Sequence, residues 1–232
     1  MKKRLLALLP CGVLAFVLVA GAIWVLGRTL VSPPHIPCEA IRPLITYHGI
    51  TYTPATVMES SHQLTEADLG AVVGTAGTGP HDVQYNCALL SSGQQVYRII
   101  GYRDTFRLAA RGQNGIFFFE VADNPSAKMG ADLFDINGKV QFITAAPFGN
   151  PGSPSETVRD AQSIRVLTKI VLAAPVARHC SYGQDEEALL FHLKDGNVVE
   201  ADYSPTSQEL GTGWPQCVTL PQRFAALLAA SH

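Results

Sequence analysis

The feature that most constrains this chain is an unbroken apolar run near its start. From Leu5 to Leu26, 22 residues pass without a charged side chain. As a helix they would rise about 33 Å, enough to cross a hydrocarbon core of about 30 Å. Lys2, Lys3 and Arg4 precede the run, whereas Arg28 alone follows it closely. Basic residues prefer the cytoplasmic side, so the expected orientation is N-terminus in and everything after Arg28 out. Trp24 suits the aromatic belt at the far interface.

The same run contains Ala20-Gly21-Ala22, a sequence of the kind signal peptidase cleaves. Ile23-Trp24-Val25-Leu26 nevertheless continue the apolar stretch without a polar break, and the length favours a retained anchor. Secretion after cleavage near Ala22 is the alternative. Leu8-Leu9-Pro10-Cys11 has the outline of a lipoprotein box, but too little apolar sequence precedes it. Both readings place the rest of the chain outside the cytoplasm. The expected localisation is a cell membrane, single-pass, with the bilayer itself as partner of the N-terminal helix.

Charge follows the same division. After Arg28 the chain carries 13 Lys and Arg against 19 Asp and Glu, a net charge of about −6 that the whole-chain value of −2 conceals. Nucleic-acid binding needs clustered cations. These thirteen are scattered along the sequence, so no nucleic-acid partner is expected.

Cysteine usage suits an oxidising compartment. Cys11 lies inside the apolar run, where it serves as a small apolar residue. Cys38, Cys87, Cys180 and Cys217 form an even set that allows two disulfides in three pairings. Closing each half on itself favours Cys38–Cys87 and Cys180–Cys217. None lies in a C-x-x-C spacing, which gives a zinc ribbon or thioredoxin-type site no basis.

Residues 1–28 thus form a cytoplasmic stub and signal anchor, and 29–39 a proline-rich stalk with Ser32-Pro33-Pro34 and Pro37. Residues 40–145 are a β-rich first half, 146–163 a Pro/Gly/Ser-rich linker, and 164–232 a second half. In the first half, Ile45 to Tyr52 reads as a hairpin around His48-Gly49, with Ile45, Tyr47, Ile50 and Tyr52 on one face. Thr65 and Asp68 frame a short helical turn, and Gly74 to Pro80 is an expected flexible connection. Strands are expected over Val96–Tyr102, Phe106–Arg111, Ile116–Val121 and Val140–Ile143, the third central because its apolar run suits burial on both faces. In the second half, Ile164 to Leu172 reads as a strand. Lys194-Asp195-Gly196-Asn197 turns a hairpin between Leu189–Leu193 and Val198–Tyr203, and Leu220-Pro221 opens a terminal helix carrying Phe224, Leu227 and Leu228. The expected class is α+β, mainly antiparallel, as two packed halves or one sandwich.

Tyr47-His48-Gly49-Ile50-Thr51-Tyr52, Leu69-Gly70 and Val96-Tyr97-Arg98-Ile99-Ile100-Gly101-Tyr102 together resemble a pattern in small uncharacterised proteins anchored on the outer face of bacterial membranes. A Tyr-rich hairpin, a Leu-Gly turn and a V/I-Y-x-I-x-G-Y strand make up that pattern. The resemblance covers residues 40 to 121 and implies a place in the bacterial cell envelope, with no activity and no catalytic residues to transfer.

Motifs that carry chemistry are sparse. The glycines from Gly74 to Gly79 lack the Lys-Ser/Thr of a phosphate cradle. Asp132, Asp135 and Asn137-Gly138 lack the terminal Glu of a calcium loop and read as a β-turn. His35, His48, His62, His81, His179, His192 and His232 form no H-x-x-x-H or H-E-x-x-H pair. His179-Cys180 has the composition of a copper site or a nucleophilic couple, but neighbouring strand residues face opposite ways and an exported cysteine is usually oxidised. No serine stands in a G-x-S-x-G elbow. Phe117, Phe118 and Phe119 suit core packing better than a ligand pocket. No catalytic residue, cofactor or metal is assigned. The expected function is a non-catalytic binding or interaction module with an envelope or protein partner; the alternative is an envelope hydrolase or metal-binding enzyme with a dispersed site.

Overall fold

Strand β1 (Leu44–Tyr47) and strand β2 (Ile50–Pro54) form the expected hairpin, with Ile45 opposite Tyr52 and Tyr47 opposite Ile50. His48 and Gly49 both take positive φ, 52° and 76°. This two-residue turn matches the right-handed twist of its strands. Ile45 and Tyr52 are fully buried and Ile50 nearly so, as the alternation requires. The computed structural model describes residues 44–55, 64–77, 83–86, 93–112, 115–147, 154–181, 186–212 and 215–230. The apolar run, the stalk, Cys38 and Cys87 lie outside these residues. Among those described, no helix is long and apolar enough to cross a membrane.

The hairpin opens a closed barrel. After a 3-10 turn at Glu66–Asp68 come β3 (Leu69–Gly77), β4 (Val83–Asn86), β5 (Gln95–Ile99), β6 (Arg107–Gly112) and β7 (Gly115–Asp123). The order round the barrel is β1-β2-β7-β6-β5-β3-β4, with β4 pairing back onto β1. All neighbours are antiparallel except β3 and β4, which pair in parallel at Ala76–Val83 and Gly77–Gln84. Val96, Leu108, Ala110, Phe119 and Val121 are completely buried together with Ile45 and Tyr52. At the 3-10 turn, the Thr65 backbone N–H and hydroxyl both donate to Asp68, at 2.8 and 2.7 Å.

Two expectations for this region need correction. Gly74 to Gly77 is strand rather than flexible connection: β3 runs through it, paired with β5 across register shifts on either side of Val72. Glycine inside a strand marks such irregular ladders. The phenylalanine run is paired on both sides, by β2 and β6, yet only its second half is buried. Ile116, Phe117 and Phe118 are half-exposed, while Phe119 and Val121 are fully covered.

The second sheet has the order β10-β14-β13-β12-β11-β8-β9 and is antiparallel throughout. Its strands are β8 (Val140–Pro147), β9 (Glu156–Val158), β10 (Val176–Ala177), β11 (Glu187–Leu193), β12 (Val198–Ser204), β13 (Glu209–Gly211) and β14 (Cys217–Thr219). The Pro/Gly break after Ala145 therefore connects two paired strands, β8 and β9. The barrel gives way to this sheet earlier, between Asp123 and Val140. The chain from Ile41 to His232 forms one compact unit.

Three helices are described: α1 (Gly130–Leu133), α2 (Ala161–Ala173) and α3 (Arg223–Ala229), the last being the expected terminal helix. Helix α2 replaces the strand expected over Ile164 to Leu172. Asp160 accepts from the Ser163 N–H at 2.7 Å, a helix N-cap. Ile164, Leu167, Thr168 and Val171 then recur at helical spacing and are buried. Ile164, Leu167 and Val171 share one hydrophobic cluster with Ile143, Phe191 and Val199 of the sheet and with Phe224 and Leu228 of α3. Cys180 and Cys217 form a disulfide with Cα atoms 5.9 Å apart, tying the segment after β10 to β14.

Candidate functional site

Helix α2 has two jobs. One face packs on the sheet; beside it run two i, i+4 rows, Ile164-Thr168-Leu172 and Ala161-Arg165-Lys169. These rows form one wall of a cleft of about 850 Å³. Ala131 of α1, the Asn137-Gly138 turn, and Val140 and Gln141 of β8 line the rest, with Arg159 before α2 and Lys194 at the β11–β12 turn. That volume falls in the range of small-molecule sites.

Two glycine-dependent features position these walls. The backbone N–H of Gly130 donates to the Ala174 carbonyl at 2.8 Å, which fixes α1 at the C-terminal end of α2. A Cβ at position 130 would overlap the Val171 carbonyl oxygen, so only glycine fits. Gly138 has φ of 69° at the turn before β8, and its carbonyl accepts from Lys194 Nζ at 2.7 Å.

The cleft is cationic. Arg159, Arg165, Lys169 and Lys194 line it, and no Asp or Glu is among its described lining residues. Among the described residues, the ion pairs engage Arg98, Arg103, Arg107, Arg111 and Lys139 and none of these four. Arg165 donates to Gln162 Oε1 at 2.7 Å, and the Arg159 guanidinium lies 4.7 Å from the Phe142 ring centroid. The wall also holds a buried hydroxyl with no hydrogen-bond partner, Thr168 Oγ1, although the residue is only 5% exposed. Phe142 stacks in turn on His192, ring centroids 4.0 Å apart, and His192 Nε2 is 3.0 Å from Thr144 Oγ1. Burial first, and then the charge of Arg159, holds the His192 imidazole below its usual pKa, so it is a neutral ring beside the cleft.

None of these cations was singled out by the sequence. Scattered along the sequence, these four converge in space. Reading Ile164–Leu172 as a strand obscured this, because it would set Arg165 and Lys169 on the same face as Leu167 and Val171. The available signal was the helical period of 164, 167, 168 and 171 behind an Asp N-cap.

The residues that were weighed for chemistry have other employment. Asp132 accepts from the Lys128 and Met129 N–H groups at 2.9 and 3.0 Å, bonds that hold its carboxyl below the usual range. Burial raises the Asp135 pKa, but Lys139 at 2.9 Å and the Arg103 N–H at 2.9 Å outweigh this and leave it low. Cys180 is disulfide-bonded, which removes the His179-Cys180 couple as a nucleophile. Of the histidines, His48, His179 and His192 are among the described residues and do not converge. No group of three or more His, Cys, Asp or Glu among the described residues is placed to hold a metal.

Compared with known proteins, the chain matches no family model, no curated protein and no solved structure.

Proposed function

We propose that this chain is a membrane-anchored, extracytoplasmic, non-catalytic binding module whose α2 cleft takes an anionic ligand with an apolar portion. The observation that carries the reading is the convergence of Arg159, Arg165, Lys169 and Lys194, none in an ion pair among the described residues, on a cleft with no carboxylate among its described lining residues. Charge-assisted hydrogen bonds to such groups contribute about 1.5–3 kcal/mol each. Ile164, Val140 and Leu172 supply an apolar floor beside them. The anchor and the acidic remainder of the domain are consistent with display outside the cell.

The test is a titration of the purified full-length chain with octyl phosphate, octyl glucoside and inorganic phosphate. Octyl phosphate is expected to bind best, to weaken several-fold between low and high salt, and to lose binding in the Arg165→Glu/Lys169→Glu variant. Equal binding of octyl glucoside, or an unaffected charge-reversal variant, would sink the reading. Protease accessibility of the domain in intact cells tests the display separately.

A further inference from the structure

A second cavity, of about 170 Å³, lies where the barrel meets the second sheet and shares no lining residue with the α2 cleft. Pro54, Ala55, Ile116, Phe117 and Phe118 give it apolar walls, and Arg107 and Asn197 give it polar ones. Arg107 is 1% exposed. Its Nε donates to Glu120 at 2.6 Å, and its Nη2 donates to Glu120 and, at 2.6 Å, to the Val198 carbonyl. Nη1 has no partner. Asn197 is 4% exposed, and its backbone N–H donates to Asp195 Oδ1 at 3.0 Å, yet its side-chain Oδ1 also lacks a partner. Two residues that line the cavity thus carry one buried donor and one buried acceptor, both unsatisfied. Leaving such groups dry is unfavourable, and a molecule offering an acceptor and a donor together would satisfy both.

We infer that this cavity binds a small neutral molecule bearing a carboxamide-type acceptor and donor on a flat apolar body. Neutrality follows from the surroundings: Glu120 already balances the guanidinium, and Asp195 lies within its electrostatic reach, so an added anion would bring surplus negative charge into a buried place. A flat body follows from the wall on the Arg107 side, where Phe118 offers ring surface. The size fits as well, since an apolar cavity of about 150 Å³ is known to take benzene.

The probes are benzamide, benzoate and toluene, added to the full-length, isotopically labelled chain while the Arg107 Nε–H and Asn197 Nδ2–H₂ resonances are followed. Benzamide is expected to shift both signals saturably. Benzoate and toluene should bind at least about tenfold more weakly, because toluene leaves both polar groups unmet and benzoate leaves Asn197 Oδ1 unmet and adds a charge. Ala55→Leu, which fills the cavity without touching either polar group, should abolish the response; if that variant does not fold, the three-probe comparison decides alone. The Arg165→Glu/Lys169→Glu variant should respond like the parent, which separates this site from the α2 cleft. Absence of a saturable benzamide shift would mean that the cavity holds only water and would overturn the inference. Toluene binding as tightly as benzamide, or benzoate binding more tightly, would overturn the assigned chemistry.

Discussion

A buried guanidinium dominates the residue scale. Arg107 lies about 5 Å from the rings of Tyr102, Phe106 and Phe118, at 5.0, 5.1 and 5.3 Å, with Glu120 as its counter-ion. Removing one partner of such a pair strands the other charge in a dry place, at a cost of about 3–5 kcal/mol. Glu120→Gln should therefore lower stability by that amount in urea unfolding. The double change Arg107→Met/Glu120→Leu should recover most of it, because neither charge is then stranded. His192 makes the opposite kind of statement. Its folded pKa lies below the ordinary 6.5, so its contribution to stability is complete above pH 6.5 and is lost as pH falls toward the folded value. Unfolding free energy measured from pH 7.5 downward should decline over this window, and His192→Gln should flatten that part of the curve.

At the scale of elements, Gly130 is the point where α1 meets the backbone of α2. Gly130→Ala must push Val171 and its neighbours aside, with an expected loss of about 1–3 kcal/mol. Chemical denaturation measures that loss, and ligand binding at the α2 cleft should weaken with it, since α1 supplies part of the wall. The hairpins were legible because turn chemistry is local: His48-Gly49 reverses the chain within two residues, and Lys194-Asp195-Gly196-Asn197 holds the reversal between β11 and β12. Thr65 and Asp68 were legible for the same reason, as was the proline-led terminal helix. Helix α2 was not, because Val166-Leu167 and Ile170-Val171-Leu172 look as continuous as a buried strand until the Asp160 cap is considered. Strand β3 was missed because its glycines resemble a loop, and the pairing that makes it a strand comes from β5, some twenty residues later. Neither cavity was legible, since each gathers residues from distant elements and no local spacing encodes that meeting.

For the whole molecule, the disulfide and the seam between barrel and sheet carry the cohesion. Cys180 and Cys217 are 37 residues apart, and closing a loop of that length removes about 4 kcal/mol of unfolded-chain entropy. The Cys180→Ala/Cys217→Ala variant should melt well below the parent, and reducing agent should lower the melting point of the parent by more than that of the variant. Across the seam, Asn124 N–H donates to Gln216 Oε1 at 2.7 Å and Gln216 Nε2 returns a bond to the Asn124 carbonyl at 3.0 Å. Thr212 donates to the Val121 carbonyl at 2.7 Å, and Tyr102 donates to Asp195 at 2.6 Å. Barrel and sheet should therefore unfold in one transition by both fluorescence and circular dichroism.

Seven is an odd number, and a ring of strands can alternate direction all the way round only when its count is even. One junction had to break the alternation, and it falls between β3 and β4, where two residue pairs make up the ladder. Hydrogen exchange on the intact protein should reveal this parity defect as the first place to open: the amide of Gly77 should exchange ahead of those at the β6–β7 ladder, which has six pairs.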